Sequence, residues 1–141
     1  TNALGEILDR TWGRSSTDTP ATYCPVNAGA IRFFRRDNSN LTVDIQGGST
    51  GTTNAHIYSA VFTGTAHELW LDGVSVATNA ADIADVTIDR FSVGALRRST
   101  ISQFWNGYIS EVAIYPGVGI STSHRKALEK YMGQKYSVQV S

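Results

Sequence analysis

Two carboxylates and a tryptophan lie close together in the run HELWLDGVSV, which spans residues 67–76. On a continuous strand, the alternation of side chains would put Glu68, Trp70 and Asp72 on one face. An acid, a second carboxylate that acts as nucleophile or base, and a ring on which a sugar stacks are the parts of a glycosidase cleft. A glycan-cleaving enzyme is therefore the first hypothesis.

A hairpin signal in the same run argues against this hypothesis. Asp72 and Gly73 separate two alternating stretches, and an Asp-Gly pair favours a tight primed turn because both central positions need positive φ. Asp72 then belongs to the turn, is expected to be exposed, and forms no pair with Glu68. Glu68 and Trp70 share one strand face. The residues predicted to face the interior are Leu69 and Leu71, with Val74 and Val76 as the matching row on the return strand.

No other pattern in the chain indicates catalysis. The three histidines are isolated in the sequence, and the remaining acidic residues are scattered. Glu111 stands alone in an apolar stretch, where a structural or edge role is favoured. A Ser-His-Asp arrangement would need the fold to bring the three together, which spacing alone does not indicate. The sequence therefore predicts a protein that is not an enzyme.

Length and charge restrict the classes further. The chain has 141 residues, which suits one domain with a sizeable core, over 1–141. Twelve basic and twelve acidic residues balance, so there is no electrostatic footprint for nucleic acid or an anionic membrane. No apolar run is long enough for membrane insertion, and the first ten residues lack a signal-peptide pattern. The lone Cys24 excludes an internal disulfide.

Arginines surround two phenylalanines in the run IRFFRR, at Arg32, Arg35 and Arg36. Basic residues beside aromatic rings can bind single-stranded nucleic acid. Because the net charge is zero, we favour the interpretation that these arginines solvate a face or form ion pairs.

Short alternating runs separated by turn residues predict an all-β chain of the sandwich or barrel type. Residues 10–28 contain a glycine, two prolines and many hydroxyls, and are predicted to form a long loop. The predicted strands cover residues 5–9, 30–35, 41–46, 56–63, 68–71, 74–77, 89–94 and 107–115.

One helix is predicted near the end of the chain, over 121–135. Ser121 is a good N-cap, and Gly133 is expected to end the helix or to weaken its last turn. Leu128 and Tyr131 are expected to pack on the strand before the helix. The apolar stripe at helical spacing consists of Ala127, Leu128, Tyr131 and Met132.

Three stretches, in order, resemble the laminin G-like or concanavalin A-like domains of the lectin-glucanase superfamily, in their bacterial and phage forms. They are the hairpin HIYSAVFTGTAHELWLDGVSVAT, the strand WNGYISEVAIYPG, and the terminal helix STSHRKALEKYMGQKYSV. The resemblance covers residues 55–138. It implies an antiparallel two-sheet jelly-roll sandwich with one short C-terminal α-helix.

The resemblance also implies something about context. Members of the family carry further strands before the equivalent of GEILDR, which this chain lacks. Three explanations stay open: a reduced domain, the C-terminal part of a larger domain or chain, or a neighbouring subunit that supplies strands, which would make a homo-oligomer or a mixed assembly. Unpaired strand edges must be covered somehow. An extracellular, cell-surface or virion location is expected.

Calcium is an open question, because relatives hold this ion with Asp or Asn side chains from loops. Asn79, Asp82 and Asp85 cluster after the hairpin and offer oxygen ligands. The loop at 37–40 is a second candidate. Asp and Asn are also the residues that turns prefer, so both loops have an ordinary structural interpretation. No other cofactor is predicted.

A sugar site on a sandwich uses an exposed ring and a few polar groups. Trp12, with Arg14 beside it, lies in a polar loop and is the preferred candidate, and Tyr23 is another ring. Trp70 either lines a concave sheet surface or packs beneath the helix. We predict a noncatalytic carbohydrate-binding or adhesion module whose partner is a glycan. The alternative is a structural virion or surface component that contacts only neighbouring protein subunits.

Overall fold

The structure is a computed structural model of the chain. It describes residues 21–23, 26–27, 30–37, 39, 41–49, 54–63, 65–81, 92–94, 96–97, 101–102, 108–115 and 120–141. For the strands at 21–23, 26–27, 96–97 and 101–102 it describes the backbone alone.

The described part of the chain is mostly β structure followed by one helix. The strands are β1 (Ala21–Tyr23), β2 (Val26–Asn27), β3 (Ala30–Arg36), β4 (Thr42–Gly47), β5 (Tyr58–Phe62), β6 (His67–Leu71), β7 (Val74–Asn79), β8 (Leu96–Arg97) and β9 (Ile101–Ser102). The helix is α1 (Thr122–Tyr136). It is too short to span a bilayer, and no helix in the described ranges is long and apolar enough to do so.

All described strand pairs are antiparallel. In the first sheet β3 is central: β1 and β2 pair with it along one edge and β4 along the other. The second sheet has the simple order β5-β6-β7, and β8 pairs with β9. The prediction of antiparallel sheets with one C-terminal helix is confirmed.

The core lies between the first two sheets. In β4, TVDIQG, buried and exposed residues alternate because one face meets the second sheet and the other does not. The buried core residues are Ile31, Phe33, Val43, Ile45, Leu69 and Leu71. The sheets approach closely where β4 ends, since a Cβ on Gly47 would lie 2.4 Å from the carbonyl oxygen of Val76. A side chain at this position would push the two sheets apart.

The turn between β6 and β7 has the predicted form. Asp72 and Gly73 both have positive φ, at 50° and 83°, as a two-residue primed turn requires. The predicted burial of Leu69 and Leu71 is confirmed. The prediction that Asp72 is exposed is wrong: its carboxylate accepts a hydrogen bond from the Ile57 backbone N–H at 2.7 Å and contacts His56 Nδ1 at 2.7 Å. His56 and Ile57, which lead into β5, pack against the turn and partly bury the Asp72 side chain.

The predicted apolar row on β7 is only partly formed. Val76 packs against the core as expected, but Val74 is half exposed. The pairing of β6 with β7 shifts between Leu69 and Trp70, so an extra residue is accommodated on β7. Because a bulge breaks strict alternation, the neighbouring residues Val76 and Ala77 both reach the core.

Replacing Gly73 with valine is expected to destabilise the protein by roughly 2 kcal/mol or more. A β-branched residue is strained at φ 83°, and its Cβ would lie 2.6 Å from the Ser141 carbonyl oxygen. Urea unfolding of Gly73→Val beside the original chain measures the difference. Val74→Thr, at the exposed neighbouring position, is the matched control and should change stability by less than about 0.5 kcal/mol. Equal midpoints for Gly73→Val and the original chain would contradict the turn geometry.

Three predicted elements are wrong in the described residues. Residues 108–115 form no strand although a strand was predicted over 107–115. Residues 92–94 form no strand either, and Val93 and Gly94 form a bend, where a strand over 89–94 was predicted. The predicted loop over 10–28 contains β1 and β2. These strands have three and two residues, too few for alternation to reveal. The predicted strand over 5–9 lies outside the described residues.

The helix begins as predicted and ends later. The Ser121 hydroxyl accepts a hydrogen bond from the His124 backbone N–H at 3.3 Å, which is the geometry of an N-cap. Gly133 does not end the helix; Ser137, at φ 57°, does. Gly133 instead allows the returning chain to pass close by, since a Cβ there would lie 2.8 Å from the Val138 carbonyl oxygen.

Residues 138–141 connect the helix to the β6–β7 hairpin through backbone hydrogen bonds. The Val138 backbone N–H donates to the Gly133 carbonyl at 2.9 Å, and the Ser141 backbone N–H donates to the Asp72 carbonyl at 3.0 Å. A Cβ on Gly133 would also meet the Val140 side chain at 2.7 Å. Gly133 and Gly73 therefore leave room for residues 138–141, which pack closely against both glycines.

Candidate functional site

The outer face of β6 carries the residues that first suggested chemistry. Glu68 and Trp70 lie on this face together, and the Trp70 indole N–H donates to the Glu68 carboxylate at 3.3 Å. Asp72 is held in the turn by His56 and Ile57. The prediction that Glu68 lies on the strand face and Asp72 in the turn is therefore confirmed.

Helix α1 packs on this face of β6 through the side chain of Arg125, which stacks on the Trp70 ring. The Arg125 guanidinium carbon lies 3.5 Å from the centroid of the Trp70 ring, a close cation–π contact. Of the two predicted positions for Trp70, packing beneath the helix is the one observed. The tryptophan keeps partial exposure at its edge.

The buried face of α1 is charged, which the sequence did not predict. Arg125 Nη1 donates to Glu129 Oε2 one turn later, and the two side chains are only 4% and 3% exposed. Tyr131, expected in the contact, is largely exposed and Leu128 is half-buried. The predicted apolar stripe is right only in part: Leu128 and Met132 are half-buried and line a cavity against residues 110–115, whereas Ala127 and Tyr131 are exposed. The fully buried side chains on the helix are Arg125 and Glu129.

Two polar atoms of this pair remain without a partner. Arg125 Nη2 and Glu129 Oε1 are buried and have no hydrogen bond to any described residue. Removing charged groups from water is costly, and the cost is repaid only when each donor and acceptor is satisfied. An incompletely satisfied buried ion pair is therefore an unusual feature that needs an explanation.

Both residues line a cavity of about 180 Å³ between β5, residues 110–115 and α1. Much of its wall is apolar, with contributions from Val61, Val112, Leu128 and Met132. Apolar cavities of about 150 Å³ hold a benzene molecule, so this space suits one ring of similar size. An apolar cavity with a few converging polar groups is the usual form of a small-molecule site.

A polar clasp joins residues 108–115 to the helix at the cavity's rim. The Lys135 ammonium donates to Glu111 Oε2 at 3.0 Å and to the Tyr131 hydroxyl at 3.1 Å, and the Tyr136 hydroxyl donates to Glu111 Oε2 at 3.0 Å. Hydrogen bonds from Lys135 and then Tyr136 lower the pKa of Glu111. The Tyr131 hydroxyl and then Glu111 raise the pKa of Lys135.

The clasp also contacts the backbone of residues 108–115, which form no strand in the described structure. The Tyr136 hydroxyl also donates to the Ser110 backbone carbonyl at 3.3 Å. Side chains of the helix thus bond to one backbone carbonyl and one carboxylate of this segment.

Three tyrosine rings in or near this region are exposed to solvent, and one of them lines the cavity. Tyr108 is 86% exposed and Tyr115 is 53% exposed, and Tyr115 also lines the cavity. We name Tyr108, Tyr115 and Tyr131 the tyrosine rim.

A second buried polar group lies between the sheets and has a structural role. Arg35 Nη1 is 3.2 Å from His67 Nε2, and the Arg35 guanidinium lies 3.8 Å from the Phe62 ring centroid. The interpretation that the arginines of IRFFRR solvate a face or form ion pairs is wrong for Arg35, which is buried. It is right for Arg32, which pairs with Asp44.

The other predicted site residues are placed only in part. Trp12, Arg14, Asp82 and Asp85 lie outside the described residues, and Tyr23 is described only as backbone in β1. Asn79 Oδ1 accepts from the Ala81 backbone N–H at 2.7 Å, as in an ordinary Asx turn.

The second candidate calcium loop, at 37–40, is closed by hydrogen bonds to the Asp37 side chain. Asp37 Oδ1 accepts from the Ser39 and Leu41 backbone N–H groups, which is turn chemistry. Within the described ranges, no group of three His, Cys, Asp or Glu residues is arranged to hold a metal. Calcium binding at Asn79, Asp82 and Asp85 stays a prediction.

Sequence reasoning missed Arg125 and Glu129, the two polar residues of the cavity. One signal was present: Arg125, Glu129 and Gly133 follow each other at four-residue spacing and so share one helix face. A glycine in that row indicates close packing. A buried face could therefore have been placed there rather than on the apolar stripe.

Comparisons with family models, with curated proteins and with solved structures found no match to this chain.

Proposed function

We propose that this chain is a noncatalytic carbohydrate-binding or adhesion module of an extracellular, cell-surface or virion protein, built on a concanavalin A-like jelly roll. The resemblance of its hairpin, its ISEVAIY stretch and its helix to laminin G-like domains motivates the fold. The observation that supports the function is the exposure of the tyrosine rim, of which Tyr115 also lines the cavity.

Sugars present apolar C–H faces and hydroxyl edges, so their sites combine rings with polar groups. The tyrosine rim supplies rings that carry their own hydroxyl groups. Glu111 and Lys135 lie at the same rim and are exposed enough to contact a ligand. The cavity behind them would receive one projecting group of the ligand.

The carboxylates of the described hairpin support a binding role over a catalytic one. Glycosidases need two carboxyl groups facing each other across the scissile bond. Here Glu68 bonds to Trp70, and Asp72 holds the turn. Neither carboxylate lines the cavity.

A glycan array probed with the double variant Tyr108→Ala/Tyr115→Ala tests the proposal. We expect the original chain to bind a subset of glycans and the variant to bind them at least about tenfold more weakly, because a lost ring contact is worth more than 1 kcal/mol. Leu41→Ala is the matched control, since Leu41 is 60% exposed on the turn between β3 and β4. It should bind as the original chain does.

Two results of this experiment would contradict the proposal. One is silence of the original chain across a broad array. The other is equal glycan binding by the original chain and the rim variant, which would move the site elsewhere, with Trp12 and Arg14 as the next residues to replace.

The second candidate is a structural virion or surface component that contacts only protein. It is favoured by the same rim, because tyrosine is enriched where proteins meet. A glycan-silent chain that associates with itself, in a concentration-dependent way that Tyr108→Ala weakens, would establish this alternative. Analytical ultracentrifugation measures it.

A further inference from the structure

We propose that the buried contact between His67 and Arg35 is an acid-sensitive latch between the two sheets. The neutral His67 ring keeps the latch closed, and mild acid opens it by protonating the ring. His67 is the first residue of β6 and has 0% of its surface exposed. The latch is independent of the proposed carbohydrate-binding function and concerns the response of the fold to pH.

The imidazole of His67 lies among side chains from both sheets. Its centroid is 5.5 Å from that of Phe33 in the first sheet and 4.8 Å from that of Phe62 in the second. Arg35 reaches the same place from β3, and its Nη1 is 3.2 Å from His67 Nε2. Arg35 is itself buried, and its guanidinium carbon lies 3.8 Å from the Phe62 ring centroid. A cation and an imidazole therefore meet inside the protein, with aromatic rings around them.

The contact with Arg35 decides which nitrogen of the imidazole carries the proton. A guanidinium stays protonated in proteins and offers only N–H donors. His67 Nε2 must therefore accept the hydrogen bond from Arg35 Nη1, which requires a bare lone pair on that nitrogen. In a neutral imidazole one nitrogen is bare and the other carries the proton. The neutral ring with its proton on Nδ1 is the form that fits this contact.

Protonation of His67 would destroy the contact. An imidazolium carries a hydrogen on both nitrogens, so Nε2–H would point at an N–H of Arg35, with the two nitrogens 3.2 Å apart. Two positive groups repel strongly in the interior, where little water screens them. Burial disfavours the charged ring as well. The protein must therefore separate the two side chains or expose the ring before His67 takes up a proton.

A positive neighbour, rather than a negative one, is what the described structure places at the imidazole. The strand β7 puts the uncharged Asn79 opposite His67 in the register. Two carboxylates are close in the sequence and have other roles. Glu68 accepts from the indole of its own strand, and Asp37 accepts from backbone N–H groups of its own turn. Within the described ranges, Arg35 is thus the charged group that acts on the protonation of the ring.

The direction of the pH effect follows from the two states of the chain. In the unfolded chain His67 is in water and binds a proton as the pH falls through about 6.5. The folded chain resists this protonation, so below that pH the unfolded state binds more protons and stability falls as the pH decreases. Well above that pH both states hold the neutral ring, and the effect disappears. One proton corresponds to a tenfold fall in the folding equilibrium constant for each pH unit, until the folded state also takes up the proton.

The latch also contacts the wall of the cavity. Phe62 packs on His67 and on Arg35, and it lines the cavity beside β5. Opening the latch would release a contact that joins β3 of the first sheet to this wall. Acid would therefore act on the candidate site through Phe62.

Urea unfolding of the full chain at a series of pH values tests the latch. The variant is His67→Gln, because glutamine does not titrate and its carbonyl oxygen can still accept from Arg35. We expect the folding equilibrium constant of the original chain to fall about tenfold relative to that of His67→Gln between about pH 6 and about pH 5. His124→Gln, the same change at an exposed position of the helix, should lose stability on acidification as the original chain does. Parallel pH curves for the original chain and His67→Gln would overturn the proposal.

Nitrogen NMR of the histidine rings gives a second measurement, which needs no folded variant. In the folded original chain the Nε2 signal of His67 should keep the position of an unprotonated ring nitrogen at about pH 5.5, where a histidine in water is mostly charged. The Nδ1 signal should keep the position of a protonated one. A His67 ring that titrates near pH 6.5 while the chain stays folded, or that carries its proton on Nε2, would overturn the latch.

Discussion

Deleting residues 120–141 is expected to lower the thermal unfolding midpoint by roughly 10 °C or more. The deletion uncovers the outer face of the second sheet, where Arg125 stacks on Trp70 and where Leu128 and Met132 are half-buried. It also removes the segment that bonds to the Asp72 carbonyl. Each fully buried apolar side chain contributes roughly 1.5–3 kcal/mol to stability. We therefore expect the deletion to lower the free energy of unfolding by about 3 kcal/mol. For a domain of this size that corresponds to about 10 °C.

Differential scanning calorimetry of the shortened chain beside the full one measures this effect. The control is a full chain carrying Lys130→Ala, a change at an exposed position of the helix, which should unfold at the same temperature as the original chain. An unchanged midpoint after deletion would contradict the packing described here. The helix would then be an appendage, and its exposed Tyr131 face would be assigned to a partner.

The hairpin could be predicted from sequence because its determinants are local. Asp-Gly requires positive φ at two positions, and period-two alternation places Leu69 and Leu71 on one side. The same reasoning could not find the role of the Asp72 carboxylate, whose partner Ile57 is 15 residues away. Contacts between distant segments leave no signal in a local pattern.

The helix shows where local reasoning succeeds and where it fails. Ser121 was identified as the N-cap because the cap acts within three residues. The buried face was misplaced because hydrophobicity was used to find it. Arg125 is buried through stacking on a ring from another element, and such a contact reverses the ordinary expectation for a charged residue.

The strand predicted over 107–115 is absent from the described structure for a related reason. The alternation of Tyr108, Ser110 and Val112 with their neighbours indicates a strand, but a strand exists only if a second backbone pairs with it. In the described structure the side chains of Tyr136 and Lys135 make the contacts instead. A pattern in one segment cannot report whether its partner is present.

Replacing Glu129 alone with leucine is expected to destabilise the protein by about 3–5 kcal/mol, because the buried Arg125 guanidinium loses its only described carboxylate partner. Arg125→Met alone should have a similar effect through the stranded carboxylate. The double variant should recover to within about 1 kcal/mol of the original chain, since methionine can pack on Trp70 and no buried charge remains. Urea unfolding of the four proteins completes the thermodynamic cycle.

The double variant is the most informative of the four proteins. If it is as stable as the original chain, the ion pair contributes little to the stability of the fold. If instead the double variant loses as much stability as the two single changes added together, the pair does not act as a coupled unit.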